Sequence, residues 1–216
     1  MKVLITGTSN GIGHAAAYKF LNEGHRVIGL DLLPCDIKDC NYKHYICDVS
    51  DKNQLPDIKN INILINNAGL QNSADDIKNN LYSVINCTEK YGLQNNIKSI
   101  INQASVSAHN GCEFPNYVAS KGGVLAYTKW TAKEIAKYGA TCNSLSLGGV
   151  LTDLNDVVIS DEAKWKEIMS MTPLNKWLTP DECAEWIYFL TIYNKSMSGQ
   201  DLLIDNLETL NHKFVW

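Results

Sequence analysis

Tyr117 and Lys121 stand four residues apart in Asn116-Tyr117-Val118-Ala119-Ser120-Lys121. In a helix that spacing puts both side chains on one face. A tyrosine with its ordinary pKa of about 10 is a poor base at neutral pH, whereas a neighbouring ammonium favours the phenolate. The pair is therefore a candidate proton-transfer device. Taken alone, the spacing fits a half-buried structural pair equally well.

A second chemical feature lies near the N-terminus. The apolar run Val3-Leu4-Ile5 leads straight into Thr6-Gly7-Thr8-Ser9-Asn10-Gly11-Ile12-Gly13, followed by Ala15-Ala16-Ala17. A strand, a glycine turn and a helix in that order can cradle the pyrophosphate of a dinucleotide. Gly7 permits the tight turn, Gly11 the approach of backbone amides, and Gly13 the close packing of helix on strand, with the positive helix end facing the anion. A tight turn without a ligand is the competing reading. Asp31 closes the next apolar run, Val27-Ile28-Gly29-Leu30. An acid at that point can accept both adenosine ribose hydroxyls and would repel a 2′-phosphate. Ser9, Asn10 and Leu32 supply no Arg or Lys to hold such a phosphate. These residues predict NAD rather than NADP, unless Asp31 merely opens a surface turn.

Such groups need a scaffold. Short β-branched runs alternate with segments of helical period, which predicts βαβ units and a parallel sheet covered on both faces. Strands are expected over residues 2–6, 26–31, 43–47, 61–66, 99–105, 141–146 and 201–204, and helices over 12–23, 75–91, 116–138, 162–171 and 180–193. The second helix rests on the spacing of Ile77, Leu81, Val84, Ile85 and Thr88. Two crossovers look shortened: residues 31–43 contain Pro34 and little helical pattern, and residues 48–61 have room for about a turn of helix.

With 216 residues, 45% hydrophobic and 19% charged, the chain can bury a substantial core as one domain over residues 1–216. That composition excludes disordered, collagen-like and disulfide-scaffold classes. A net charge of -4 offers no basic field for nucleic acid or anionic lipid. The glycine turn follows the first apolar run too soon for a signal peptide, and no apolar run approaches a membrane span, so a cytoplasmic protein is expected. The seven cysteines (35, 40, 47, 87, 112, 142 and 183) are scattered without a C-x-x-C pair or zinc-ligand spacing. They read as reduced thiols, and no metal is expected.

Taken together, these residues resemble the classical short-chain dehydrogenase/reductase family, and the resemblance runs from Lys2 to about Asp205. Thr6-Gly7-x-x-x-Gly11-x-Gly13 is similar to the family's cofactor loop, Asp48-Val49 to its adenine-side pair, and Asn66-Asn67-Ala68-Gly69 to its N-N-A-G strand end. Tyr117-x-x-x-Lys121 falls where the active-site motif belongs. Pro173-Leu174, Thr179-Pro180-Asp181-Glu182 and Ser198-Gly199-Gln200 resemble later family segments. The resemblance implies a Rossmann-type, doubly wound seven-stranded sheet in the order 3-2-1-4-5-6-7. It implies that Ser105 hydrogen-bonds the substrate oxygen and that Asn80 completes a proton relay. It also places Ile12, Gly148, Val150 and Thr152 with the cofactor residues already named.

There are departures. Leu147-Gly148 stands where the family has Pro-Gly, Asn206-Leu207 replaces a glycine pair, and the chain is short near the two crossovers and between Gly69 and Asp75. The implied activity is hydride transfer between NAD and a secondary alcohol or ketone. An NADP-linked 3-oxoacyl-thioester reductase and a catalytically weak NAD-binding sensor or scaffold are the alternatives. The segment 151–178 carries Leu154, Val157, Val158, Ile159, Trp165, Met169, Met171 and Trp177, suited either to an apolar or ring-bearing alcohol or to lid packing. Apolar arcs on the helices over 116–138 and 180–193 predict a homodimer or homotetramer. The tail Phe214-Val215-Trp216 is a further candidate for subunit packing.

Overall fold

The computed structural model describes residues 1–211, so Phe214-Val215-Trp216 lies outside the described residues. Seven strands form one sheet: β1 (Lys2–Thr6), β2 (Arg26–Asp31), β3 (Tyr42–Ile46), β4 (Ile63–Asn66), β5 (Ser99–Ser105), β6 (Thr141–Leu147) and β7 (Asp201–Ile204). Their order is β3-β2-β1-β4-β5-β6-β7, as expected, and every adjacent pair is parallel. The helices are α1 (Gly11–Asn22), α2 (residues 77–92), α3 (Ser107–Asn110), α4 (Pro115–Ile135), α5 (Asp156–Ile159), α6 (Glu162–Met171) and α7 (Pro180–Tyr188). α7 opens on a capping box in which Thr179 and Glu182 satisfy each other's backbone amides.

The central strands read as unbroken apolar runs because both faces are covered. Val3 and Ile5 enter one core with Phe20 of α1 and Ile187 of α7. Leu4, between them, enters the other with Tyr91 of α2 and Ile135 of α4. The chain passes to one side of the sheet after β1 and to the other after β4, leaving a crevice at the carboxyl ends of these neighbours, where such sheets bind ligands.

The structure differs from expectation locally, and β4 begins at Ile63 rather than at residue 61. α2 is one helix whose first and last turns, Ile77–Tyr82 and Thr88–Gly92, are wider π-type turns. α3 and α5 have four residues each, too short for a periodic signal. β6 continues to Leu147, extending its pairing with β5 as far as Ser105. No helix is assigned between β2 and β3, and Ile46 of β3 is 65% exposed. Among the described residues no helix is long and apolar enough to cross a membrane.

Candidate active site

The glycine turn is built around contacts that exclude side chains. A Cβ on Gly13 would overlap the Gly7 carbonyl oxygen, and Gly7, at φ +76°, would bring a Cβ within 2.8 Å of Asn67 Nδ2. Asn67 in turn clamps the turn to β4, donating from Nδ2 to the carbonyls of Thr6 and Gly7 at 3.0 and 3.2 Å. The Thr6 hydroxyl accepts from the amides of Asn67 and Ala68. Among the described residues no side chain caps the N-terminus of α1, and no acid sits in its first turn. Its amides and positive end are left to meet an anion.

A cleft of about 470 Å³ runs from this turn to Asp31. Gly7, Asn10, Gly11 and Ile12 line one part of it, Asp31, Asp48 and Val49 another, and Asn67, Ala68 and Gly69 a third. Asp31 is fixed by amides on two sides: Ser9 N–H donates to it at 2.9 Å and Leu33 N–H at 3.0 Å. Asp48 accepts from the amide and hydroxyl of Ser50. Ser9 and Gly13 do not line the cleft. Ser9 instead braces the loop after β2 through its amide and a hydroxyl bond to the Leu33 carbonyl, and Gly13 serves packing.

A second cavity of about 380 Å³ continues from the first, sharing Ile12, Asn67, Gly69, Thr152 and Leu154. Ser105 at the end of β5 and Tyr117 and Lys121 on α4 converge on it, with Gly148 and Val150 after β6 on its wall. A buried amide chain holds these elements in place: Asn66 Nδ2 bonds Thr88 of α2 and Asn102 of β5, and Asn102 Nδ2 bonds Thr128 of α4. Lys121 is buried and donates to the Gln103 carbonyl at 3.0 Å. Asn80, in the first π-type turn of α2, binds both backbone groups of Leu70 and donates to Ser120 Oγ.

The charges around Tyr117 differ from the simple expectation that Lys121 lowers the phenol. Burial, helped by the Glu113 carboxylate, pushes the Tyr117 phenol up, and the Ser105 hydroxyl beside it pulls in the opposite direction. Lys121 lies over the face of the Tyr117 ring, its Nζ 5.5 Å from the centroid. Burial lowers the Lys121 ammonium to about 8, against the pull of Glu113 and Asp76. Lys121 is thus closer to losing its proton than an ordinary lysine, and Tyr117 holds its own more firmly.

Sequence reasoning missed the acids of this cavity. Glu113 stands at the mouth, two residues before α4, and accepts from Gln71 Nε2 at 2.7 Å. Burial of its carboxyl raises it to about 7. Glu208, after β7, lines the same cavity and is raised by burial as well. Glu113 lies four residues before Tyr117, a spacing that could have flagged it; nothing local marks Glu208. Of the segment 151–178, Leu154, Val158 and Trp177 line the cavity, whereas Val157 and Met171 are exposed, so the apolar stripe is only partly a pocket wall. Gly149 permits this wall, because a Cβ there would collide with the Trp177 ring.

A family profile described as Enoyl-(Acyl carrier protein) reductase matches residues 7–206. A 3-oxoacyl-(acyl carrier protein) reductase of Thermotoga maritima is 30% identical over 235 residues, covering 94% of this chain and 95% of that protein. The reductase of the same description from Rickettsia bellii is also 30% identical, covering 94% of each chain. Among solved structures, the aldohexose dehydrogenase of Thermoplasma acidophilum superposes with a TM-score of 0.87 at 25% identity, covering 100% of this chain and 96% of that one. A 4-hydroxyisoleucine dehydrogenase complexed with NADH superposes at 0.84 with 27% identity, covering 98% and 99%. The parallel sheet order, the glycine turn and the match across nearly the whole chain together make this protein an oxidoreductase of the classical short-chain dehydrogenase/reductase family.

Proposed function

We propose that the chain is an NAD-dependent dehydrogenase or carbonyl reductase that interconverts a secondary alcohol and a ketone. The observation that carries this reading is the meeting of Ser105, Tyr117 and Lys121 in one cavity that opens into the cleft ending at Asp31. The cleft fits a dinucleotide: only glycine can occupy the Gly7–Gly13 contact, and the uncapped start of α1 faces it. Gly7, Asn10, Gly11 and Ile12 would hold the pyrophosphate, and Asp31 the adenosine ribose. Asp48 and Val49 would border the adenine. Asn67, Ala68, Gly69, Gly148, Val150 and Thr152 would line the nicotinamide end. When bound, the nicotinamide supplies or takes up the hydride.

Tyr117 donates its proton to the substrate oxygen in reduction and removes it in oxidation. Its raised pKa keeps it protonated at neutral pH, which suits the reductive direction and makes oxidation favour alkaline conditions. Ser105 holds the substrate oxygen beside the phenol. Lys121 binds the nicotinamide ribose and, with a pKa of about 8, exchanges protons readily near neutrality. Asn80 lies across Gly69 from Lys121 and completes the proton relay.

A second reading, an NADP-linked reductase of 3-oxoacyl thioesters, takes its substrate class from the 3-oxoacyl-(acyl carrier protein) reductase names of the curated relatives. Asp31, with Ser9, Asn10 and Leu32 beside it, supplies nothing cationic for a 2′-phosphate. A sensor without turnover leaves the Ser105, Tyr117 and Lys121 arrangement without a purpose.

Parallel screens of alcohols and ketones with NAD(H) and NADP(H), using the wild type and Tyr117→Phe, test the proposal. Tyr117→Phe removes only the ionisable hydroxyl and is expected to lower kcat by at least ~10²-fold with cofactor affinity nearly unchanged. Retention of most turnover would reject Tyr117 as the acid and base.

A further inference from the structure

The cavity beyond Tyr117 carries more hydrogen-bonding capacity than proton transfer requires. Glu113 has only one of its carboxylate oxygens engaged by Gln71 Nε2. Glu208 Oε1 receives one long bond, 3.4 Å from the Gly149 amide. Two side chains lining the same cavity have no partner among the described residues: the indole N–H of Trp177, a donor, and Gln103 Oε1, an acceptor. Trp177 is 8% exposed and Gln103 9%, so water does little to satisfy either. Trp177 Nε1 lies near enough to Glu208 to favour its charged form, without closing a hydrogen bond that satisfies the donor.

Four classes of substrate can be weighed against this set. An apolar alcohol would leave the half-buried Glu208 carboxyl, an indole N–H and an amide oxygen without a partner, which counts against it, whereas Glu113 at the mouth keeps water. A carboxylate or phosphate would meet Glu113 and Glu208, with Lys121 as the one cationic side chain lining the cavity among the described residues, and that lysine already bonded to Gln103 O. An ammonium could donate to the acids but could not accept from Trp177. A hydroxyl both donates and accepts, so several hydroxyls on one small ring or chain satisfy the carboxyls, Gln103 and Trp177 together.

We propose that this cavity selects a small uncharged substrate bearing several hydroxyl groups, a monosaccharide or polyol, with Glu113 and Glu208 as specificity-determining residues that grip hydroxyls away from the reacting carbon. The proposal rests on the hydride-transfer reading above for its reacting end, and on the unpartnered wall groups for its distal end. It also gives Glu113 a defined response to substrate: donation from a hydroxyl favours the carboxylate and draws its raised pKa downward.

The test compares NAD-linked oxidation of aldoses and alditols with that of matched alcohols lacking the extra hydroxyls, amino alcohols, hydroxy acids and 3-hydroxyacyl thioesters. The enzymes compared are the wild type, Glu113→Leu, Glu208→Leu and the isosteric Glu113→Gln and Glu208→Gln. In wild type, kcat/KM for at least one polyhydroxylated substrate exceeds that of its deoxygenated counterpart by ~10-fold or more, since a site built to bond hydroxyls rejects analogues that lack them. Each Leu variant pulls that ratio toward unity, chiefly through KM, and the Gln variants keep part of it. Saturation-transfer NMR with NADH present reads polyol binding independently of turnover. Equal or better turnover of the deoxygenated alcohols, amino alcohols, acids or thioesters, with a ratio unmoved in the Leu variants, overturns the proposal and leaves hydride transfer standing. Polyol binding that is lost in the Leu variants, with no turnover of any substrate, upholds the cavity's selectivity and overturns the enzymatic reading instead.

Discussion

Asn80 and Lys121 meet across Gly69: a Cβ on that glycine would stand 2.8 Å from Asn80 Oδ1 and 3.6 Å from Lys121 Nζ. Asn80 Oδ1 is already committed to the Leu70 amide at 2.7 Å, so it cannot withdraw without releasing the loop after β4. Gly69→Ala is therefore expected to push Asn80, and the loop it holds, away from Lys121, lowering kcat/KM for the reaction by ~10-fold or more. Steady-state kinetics and thermal melting check this. Full activity in a normally folded Gly69→Ala enzyme would show that the Asn80–Lys121 spacing is not critical.

Asp31 is held by two amides with its carboxylate facing the cleft. NAD(H) is expected to bind at least ~10-fold more tightly than NADP(H), about 1.4 kcal/mol. Asp31→Ala should narrow that gap by removing ribose acceptance and phosphate repulsion together. Calorimetric titration of both cofactors measures it, and equal affinities in the wild type would refute the preference.

The pH response follows from Glu113. Its carboxyl, raised to about 7 by burial, is charged above that pH, and its charge helps to hold the Tyr117 phenol up. Oxidation requires the phenolate, so its rate climbs with pH along an acidic limb set by Tyr117. Glu113→Gln removes the negative charge and is expected to move that limb to lower pH. A limb that stays in place or moves upward in a full kcat/KM profile would contradict this coupling.

Assembly is expected to involve the outward side of α7 and its continuation. Of the apolar residues there, Ile187 and Leu190 are buried, while Trp186, Phe189 and Tyr193 form an exposed aromatic chain. On α4, Val124 is buried and Trp130 is exposed. The arcs foreseen from sequence are thus narrower than expected, yet three adjacent exposed aromatics still favour a two-fold dimer or tetramer. Light scattering after size-exclusion chromatography should give a multiple of the chain mass, and a monomer mass that persists at high protein concentration would count against it.

The sheet was legible because parallel strands buried on both faces are continuous apolar runs, and Val3-Leu4-Ile5 or Ile63-Leu64-Ile65 need no context to be recognised. The glycine turn and Tyr117-x-x-x-Lys121 were legible because their chemistry is local. Glu208 was not: its contact with Gly149 spans 59 residues of sequence and depends on where β6 and β7 end. The direction of the Tyr117 shift was also hidden, since spacing reveals a neighbouring charge but not the burial that outweighs it.

The bare crossover between β2 and β3 has a consequence for how the adenosine end of the cleft is ordered. Among the described residues β3 has β2 as its sole strand neighbour, and no helix lies in the connection. Yet Asp31 pairs with Ile46, the Cys47 amide bonds the Asp31 carbonyl at 2.8 Å, and Tyr42 Oη donates to Thr8 in the glycine turn. An edge strand with few buried contacts belongs to the part of a protein that opens at low free energy. Asp31, the proposed ribose-binding acid, is thus moored to a poorly buried edge strand, and occupancy of the cleft would slow amide hydrogen exchange along β3, a strand that need not touch the nucleotide at all.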